Sequence, residues 1–453
     1  MVNDPAANSK IVTYFKKLAA RVLPGELRLN LALLTGATAL SQGFVVLASP
    51  LITRLYTSTD FGYLQVYLST SVFFAVVVAL RYEAAVLLPP DDETAANLVV
   101  LSLTAILAMG LLFSGAIWLT RDSVIFGART AGIRPYLWII PVSACGSGVY
   151  QTLVSWALRK KQFRDVAATK ITQAAGNIST QLILGFGHVG VVGLLLGEVV
   201  GRASGILRLG RAAWHESEPV FRQVSLGKMR RAGVRYKQFP LVNTCSALIN
   251  TAGFSIPVLL IGSFHGAAVL GWFALADRVV QTPSALVGTA MSQVYMASAA
   301  RLVHEDPAAL LSLFKKTSVR LFIVGIVPCL LFVCLGPGLF SLAFGAHWRE
   351  AGLYARLLAG VDIVGFTAWP LIPTLVILGQ QPLQLAWDTT RVLATCTVLY
   401  GAHWSGWSPQ SSIAVYAATM ATFYGAHLLL SYRALADRVR RSQTEPMPLS
   451  TIA

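Results

Sequence analysis

A chain of 453 residues that is 55% hydrophobic, 12% charged and has a mean hydropathy of +0.63 is no water-soluble globule, since soluble proteins carry about 25% charged residues. Its net charge of +16 does not read as a nucleic-acid surface, because the basic residues lie in loops between apolar runs, the positive-inside pattern of a polytopic membrane protein. Cys145, Cys245, Cys329, Cys334 and Cys396 fall in or near apolar runs and read as small buried hydrophobes, with no disulfide framework or metal site indicated.

Residues 10–23 place Ile11, Phe15, Leu18 and Val22 on one helical face and Lys10, Lys16, Lys17 and Arg21 on the rest. This fits an interfacial helix on the cytoplasmic leaflet or, equally, a solvated basic tail. No cleavable signal peptide is expected, because the first long apolar run starts near residue 31 without an A-x-A-like end. From Leu31 the chain alternates apolar runs with short polar breaks. The runs are about 20 residues long, enough to cross roughly 30 Å of hydrocarbon as helix. Twelve spans are predicted: 30–53, 62–85, 95–119, 135–158, 165–187, 189–210, 239–262, 267–297, 318–344, 351–378, 383–402 and 410–432. The second carries Arg81-Tyr82-Glu83 into the membrane.

Loop charge tests this topology. With twelve spans, 24 of the 36 Lys and Arg fall on one side, five on the other and seven inside spans. That asymmetry predicts both termini in the cytoplasm. The long basic loop then divides the chain into an N-terminal segment 1–29, six spans over 30–210, a cytoplasmic linker 211–238, six spans over 239–432 and a cytoplasmic tail 433–453. The two sets of six echo one another. Pro257-Val258-Leu259-Leu260, Phe264 and Leu270-Gly271-Trp272 follow the pattern of Pro50-Leu51-Ile52-Thr53, Tyr56 and Phe61-Gly62-Tyr63. An even number of spans per set makes this a parallel repeat about an axis along the membrane normal. The fold class is therefore all-α, with two six-helix lobes.

Gly193, Gly197, Gly201 and Gly205 leave one face of the sixth span bare, which permits close helix contact. Pro370 and Pro373 should bend or break the tenth span. The spans also hold Arg81, Glu83, Lys170, Glu198, Arg202, Arg208, Asp277, Arg278, Arg356, Asp362, Asp388 and Arg391. A charge at the bilayer centre costs at least about 2.5–3.5 kcal/mol, so these groups must face one another, a wet cavity or the interface. Arg208 lies near a span end and should snorkel.

Seven basic against five acidic groups predicts a cationic cavity between the halves. Arginine suits an anionic ligand such as a pyrophosphate joining sugar to a polyprenyl tail. The candidate substrate-binding residues are Arg81, Glu83, Lys170, Arg202, Arg278, Arg356 and Arg391. Asp277-Arg278, Glu198-Arg202 and Arg81 with Glu83 read equally as local ion pairs. Asp277, Asp362 and Asp388 are the candidates for ion coupling, while Asp362 and Asp388 also read as acids that tolerate burial by staying protonated. Enzyme signals are weak. Asp91-Asp92-Glu93 is a carboxylate cluster in a short cytoplasmic loop, no outer loop is long, the histidines are scattered and no G-x-x-x-x-G-K-[ST] loop occurs. No enzyme activity and no cofactor are expected.

Several stretches carry a resemblance: Ser49-Pro50-Leu51-Ile52-Thr53-Arg54-Leu55-Tyr56, Asp60-Phe61-Gly62, Leu80-Arg81-Tyr82-Glu83 and Leu88-Pro89. Further on come Gly193-Leu194-Leu195-Leu196-Gly197-Glu198, Gly271-Trp272-Phe273-Ala274-Leu275-Ala276-Asp277-Arg278 and Trp348-Arg349-Glu350-Ala351-Gly352. In this order, over about residues 30–360, they resemble bacterial oligosaccharide-lipid flippases of the multidrug/oligosaccharidyl-lipid/polysaccharide exporter superfamily. The resemblance implies two lobes forming a V around a central cavity. It implies flipping of polyprenyl-diphosphate-linked oligosaccharide across the bacterial inner membrane by alternating access. The product would feed O-antigen, capsule or exopolysaccharide, with polymerase or export machinery as partners. Arg81, Glu83, Arg202, Arg278 and Arg356 stand on the resembling motifs; Asp388 and Arg391 lie beyond them. The alternatives are a cation-coupled multidrug exporter, which would want an acidic, aromatic cavity, a membrane polymerase or ligase, and a non-transporting scaffold.

Overall fold

The computed structural model describes residues 25–120 and 128–444. The basic stretch 10–23, Arg121 and the end of the tail lie outside the described residues. Among the described residues there is no strand. Helices occupy all the expected spans: α1 (Gly25–Leu55), α2 (Ser58–Val78), α3 (Asp92–Thr120), α4 (Ile139–Arg159), α5 (Phe163–Phe186), α6 (Val191–Phe221), α7 (Thr244–His265), α8 (Ala267–Glu305), α9 (Pro307–Phe344), α10 (Arg349–Ala368), α11 (Gln381–Trp404) and α12 (Pro409–Thr444). Seven stretches, on α1, α2, α3, α7, α9, α10 and α12, are long and apolar enough to cross a membrane by length and composition alone. Of the remaining helices, α5, α6, α8 and α11 hold Lys170, Glu198, Arg202, Asp277, Arg278, Asp388 and Arg391. Their polar faces lower hydropathy because they meet protein or cavity instead of lipid.

Local chemistry sets the ends. Thr57 and Asp60 form a reciprocal capping box that starts α2. Asp91 starts α3 by accepting the Thr94 N–H at 2.6 Å. Hydrogen bonds from the Thr94 side chain and backbone hold the Asp91 carboxyl below its usual range. Gly266, with φ of 93°, makes the sharp corner between α7 and α8.

Three helices simply run longer than expected, α8 to Glu305, α9 from Pro307 and α12 to Thr444, against 297, 318 and 432, and three further segments differ in other ways. The second span does not continue through Glu83: α2 ends at Val78, and Leu80 (φ 50°) and Arg81 (φ 58°) turn left-handed before a short helix, Tyr82–Ala85. Hydropathy does not register this break, because Arg81 and Glu83 are brief interruptions between apolar residues on both sides and no glycine or proline marks the turn. The sixth helix continues to Phe221, past the expected 210, with a kink at Ser217 just before Pro219. The tenth span breaks at its prolines into α10, a 3-10 turn (Trp369–Leu371) and a short helix (Pro373–Ile377).

The bare glycine face of α6 packs on α5. A Cβ on Gly197 would come within 2.4 Å of Gln181, and one on Gly201 within 2.9 Å of Asn177. The two echoing corners, α1–α2 and α7–α8, meet each other. A Cβ on Gly62 would lie 1.8 Å from the Ala267 carbonyl oxygen, and one on Gly271 would lie 1.7 Å from that of Ser58. Only glycine lets two helix starts cross this closely. Beside them the fully buried Trp348 donates its indole N–H to the Thr53 carbonyl at 2.9 Å and meets the Phe61 ring edge-on at 5.0 Å. The two halves are sealed at this end, within the largest apolar cluster.

At the other end the helix Leu226–Arg235 docks on α3. Lys228 pairs with Glu93, the Ser225 N–H donates to Asn97 at 3.3 Å, and the Tyr82 hydroxyl donates to the Gly233 carbonyl at 3.2 Å. Asp92 accepts from Arg159 at 2.8 Å and pairs with Lys160. All three carboxylates of the Asp91-Asp92-Glu93 cluster are thus engaged in holding loops together.

Candidate substrate-binding site

Directly beneath the seal a cavity of about 550 Å³ opens between α1, α2 and α8. Neutral donors and acceptors dominate its polar lining: Thr35, Thr38 and Gln42 on α1, Gln65 on α2, and Gln281 and Thr282 on α8. Three charged side chains join them: Glu198, Asp277 and Arg278. Arg278 lies about 17 Å along α8 from the sealed corner, at a helical rise of about 1.5 Å per residue. It is exposed to the cavity and forms no ion pair among the described residues. Neighbouring residues on a helix do not face each other. Asp277 accordingly turns aside, accepts a hydrogen bond from Gln281, and also lines a second cavity.

That second cavity, about 210 Å³, lies between α7, α8, α10 and α12 and shares Asp277, Gln281 and Ala285 with the first. Asp362 lines it, its Oδ2 accepting from the Ser284 hydroxyl at 2.8 Å. Phe254, Phe366, Trp369, Tyr416 and Tyr424 supply aromatic walls.

The other candidate residues lie outside both linings. Arg202 lies 3.6 Å from Glu198 and donates to the Ser147 hydroxyl, while Asn177 donates to Glu198 at 2.8 Å. This set borders the first cavity through Glu198. Lys170 covers the Tyr150 ring at 5.3 Å. Arg208 reaches Asp165 at 2.9 Å. Arg391 is fully buried, stacked on Phe254 at 4.6 Å and Trp387 at 5.0 Å, with Asp388 at 3.5 Å. Asp388 also accepts from Gln384 at 3.1 Å, and Gln384 meets His427 at 3.0 Å. Arg81 and buried Glu83 lie 3.6 Å apart in the turn that ends α2. Arg356 is exposed on α10.

The structure therefore gathers Glu198, Asp277, Arg278 and Asp362 around two connected cavities, three carboxylates and one guanidinium in place of the expected cationic cavity, because most of the basic candidates are held elsewhere. The neutral cavity residues are absent from the sequence-based candidates. The one available signal was the spacing of Thr35, Thr38 and Gln42 in an otherwise apolar run, which puts them on one helical face.

Long apolar helices bundled over a polar cavity define a multi-pass membrane protein. The fold is similar to a multidrug resistance MATE family transporter of the MOP superfamily in its inward-facing conformation. That likeness has a TM-score of 0.63 at 13% identity, covering 91% of this chain and 96% of the other. The TM-score to an outward-facing MATE family structure is 0.53 at 13% identity, with 91% and 96% covered. A family model described as "Polysaccharide biosynthesis protein" matches residues 51–352, and the chain belongs to that family. It is similar to the teichuronic acid biosynthesis protein TuaB of Bacillus subtilis, 26% identical over 161 residues. That match spans 36% of this chain and only 33% of TuaB.

Proposed function

We propose that this chain is a flippase, not an enzyme, that moves polyprenyl-diphosphate-linked oligosaccharide units across the bacterial inner membrane for surface polysaccharide. In this reading all twelve long helices cross the membrane. They form two lobes, over 30–210 and 239–432, joined by the linker 211–238, with both termini in the cytoplasm. Loop charge supports that orientation. It makes the sealed corner the outer gate and opens the cavity toward the leaflet where substrate would load.

The observation that carries the reading is Arg278: an exposed guanidinium, without an ion pair among the described residues, in a cavity whose other polar groups are mostly amides and hydroxyls. Such a site holds a diphosphate by charge-assisted hydrogen bonds and sugar hydroxyls by neutral ones. The polyprenyl tail stays in lipid, and rocking of the lobes exposes the head group outside. Coupling to a proton or cation gradient would use Asp277, Asp362 or Asp388.

The test is surface polysaccharide in a strain lacking the gene, complemented with wild type or Arg278→Ala at matched membrane levels. The expected result is loss of display with lipid-linked units retained on the inner leaflet. Normal display from the variant overturns the site.

A further inference from the structure

We propose that the carried saccharide bears a free amino group, and that the cavity between α7, α8, α10 and α12 receives it as an ammonium. This rests on the flippase reading and names the substrate class more narrowly.

The two connected cavities differ in what they offer. The larger one offers the guanidinium of Arg278 beside the carboxylates of Glu198 and Asp277. The smaller has Asp277 and Asp362 in its lining and, among the described residues, no lysine or arginine. Neither carboxylate forms an ion pair among the described residues; each accepts one neutral hydrogen bond, from Gln281 and Ser284 respectively. Arg391, behind Phe254, carries its own counter-ion in Asp388. Carboxylates without a counter-ion in a confined space are costly unless a proton or another cation joins them, and an ammonium brings both charge and hydrogen-bond donors.

The aromatic walls narrow the cation to an organic one. Trp369, Tyr416, Tyr424, Phe254 and Phe366 offer π faces, which attract an ammonium and pack on the C–H face of a sugar ring. Size narrows it again. At about 210 Å³ the space is below the roughly 300–1,000 Å³ of drug-sized sites. One amino-hexose fits that description better than a bulky drug. Because Asp277 borders both spaces, an amino sugar in the smaller cavity lies next to its diphosphate at Arg278.

The experiment is saturation-transfer NMR on the purified full-length protein with methyl glucosaminide and methyl N-acetylglucosaminide, near neutral pH. The amine should bind about tenfold more tightly than the acetamide. Asp362→Asn and Trp369→Ala should each weaken it by about fivefold. Equal binding of the two sugars overturns the proposal. So does a cavity that takes sodium ion or tetraphenylphosphonium but not the amino sugar. If Asp362→Asn does not fold, Trp369→Ala and the comparison of sugars on wild type still decide. Neither sugar contains phosphate or lipid, so failure of the diphosphate site at Arg278 leaves this readout unaffected. Failure here likewise leaves the display test standing.

Discussion

The charges of α6 and those of α8 make an instructive pair. On α6, Glu198 and Arg202 are four residues apart, share a face, and are further satisfied by Asn177 and Ser147. On α8, Asp277 and Arg278 are adjacent and both line the larger cavity, but only Asp277 also borders the smaller one. The first arrangement spends its charge on holding helices together. The second leaves a cation and an anion free for a ligand. A membrane charge is functional to the extent that its helix spacing denies it a local partner.

The sharpest way to break this comparison is at Arg278. Arg278→Ala should lower translocation by about 100-fold, read as lipid-linked units reaching the outer leaflet. Arg278→Lys should lose roughly tenfold, because a point charge replaces a planar fork of donors. Next in size is the seal. Gly271→Ala places a methyl 1.7 Å from the Ser58 carbonyl oxygen and must prise the corner apart. A cysteine introduced at Phe61 should then label about tenfold faster with an impermeant maleimide added from outside, for a shift of about 1.4 kcal/mol in the closed population. Unchanged labelling would show that the corner is not the gate.

A smaller effect is expected on α6. Glu198→Gln should cost about 1 kcal/mol, seen as a few degrees in thermal melting, by leaving Arg202 without its carboxylate. Adding Arg202→Gln should recover most of that, since the pair acts as a unit. The smallest effect is expected at Arg356, exposed and outside both cavities. Arg356→Ala should alter display by less than about twofold, as for a surface substitution. A large loss there would move the binding site toward α10.

The sequence is most informative where one-dimensional pattern is the physical cause. Apolar run length located each long helix, because a helix in lipid must satisfy its backbone internally over a fixed thickness. The proline pair foretold the break after Ala368. The glycine row of α6 foretold a close helix contact, though not that α5 would be its partner. The echo between Phe61-Gly62-Tyr63 and Leu270-Gly271-Trp272 was legible as a repeat, but not as two corners that cross each other.

Less of the site could be read in advance. Intramembrane charge alone made Arg81, Glu83, Lys170, Arg356 and Arg391 as prominent as Arg278. Arg81 and Glu83 fall outside the cavities because α2 stops at Val78, at a backbone turn that no glycine or proline announces. Arg391 is stacked away on Phe254 and Trp387. Gln42 and Gln65 became visible only once α1, α2 and α8 enclosed a common space.

The amino-acid sequence by itself determined that this is an all-helical membrane chain, where its helices lie, and that several interior charges need partners. Those properties depend on residues close together in the chain and on the transfer of side chains between water and lipid. Only the tertiary structure decided which charges are neutralised and which are left over. Pairing across helices depends on rotation and contact between segments tens to hundreds of residues apart, and no local pattern encodes that.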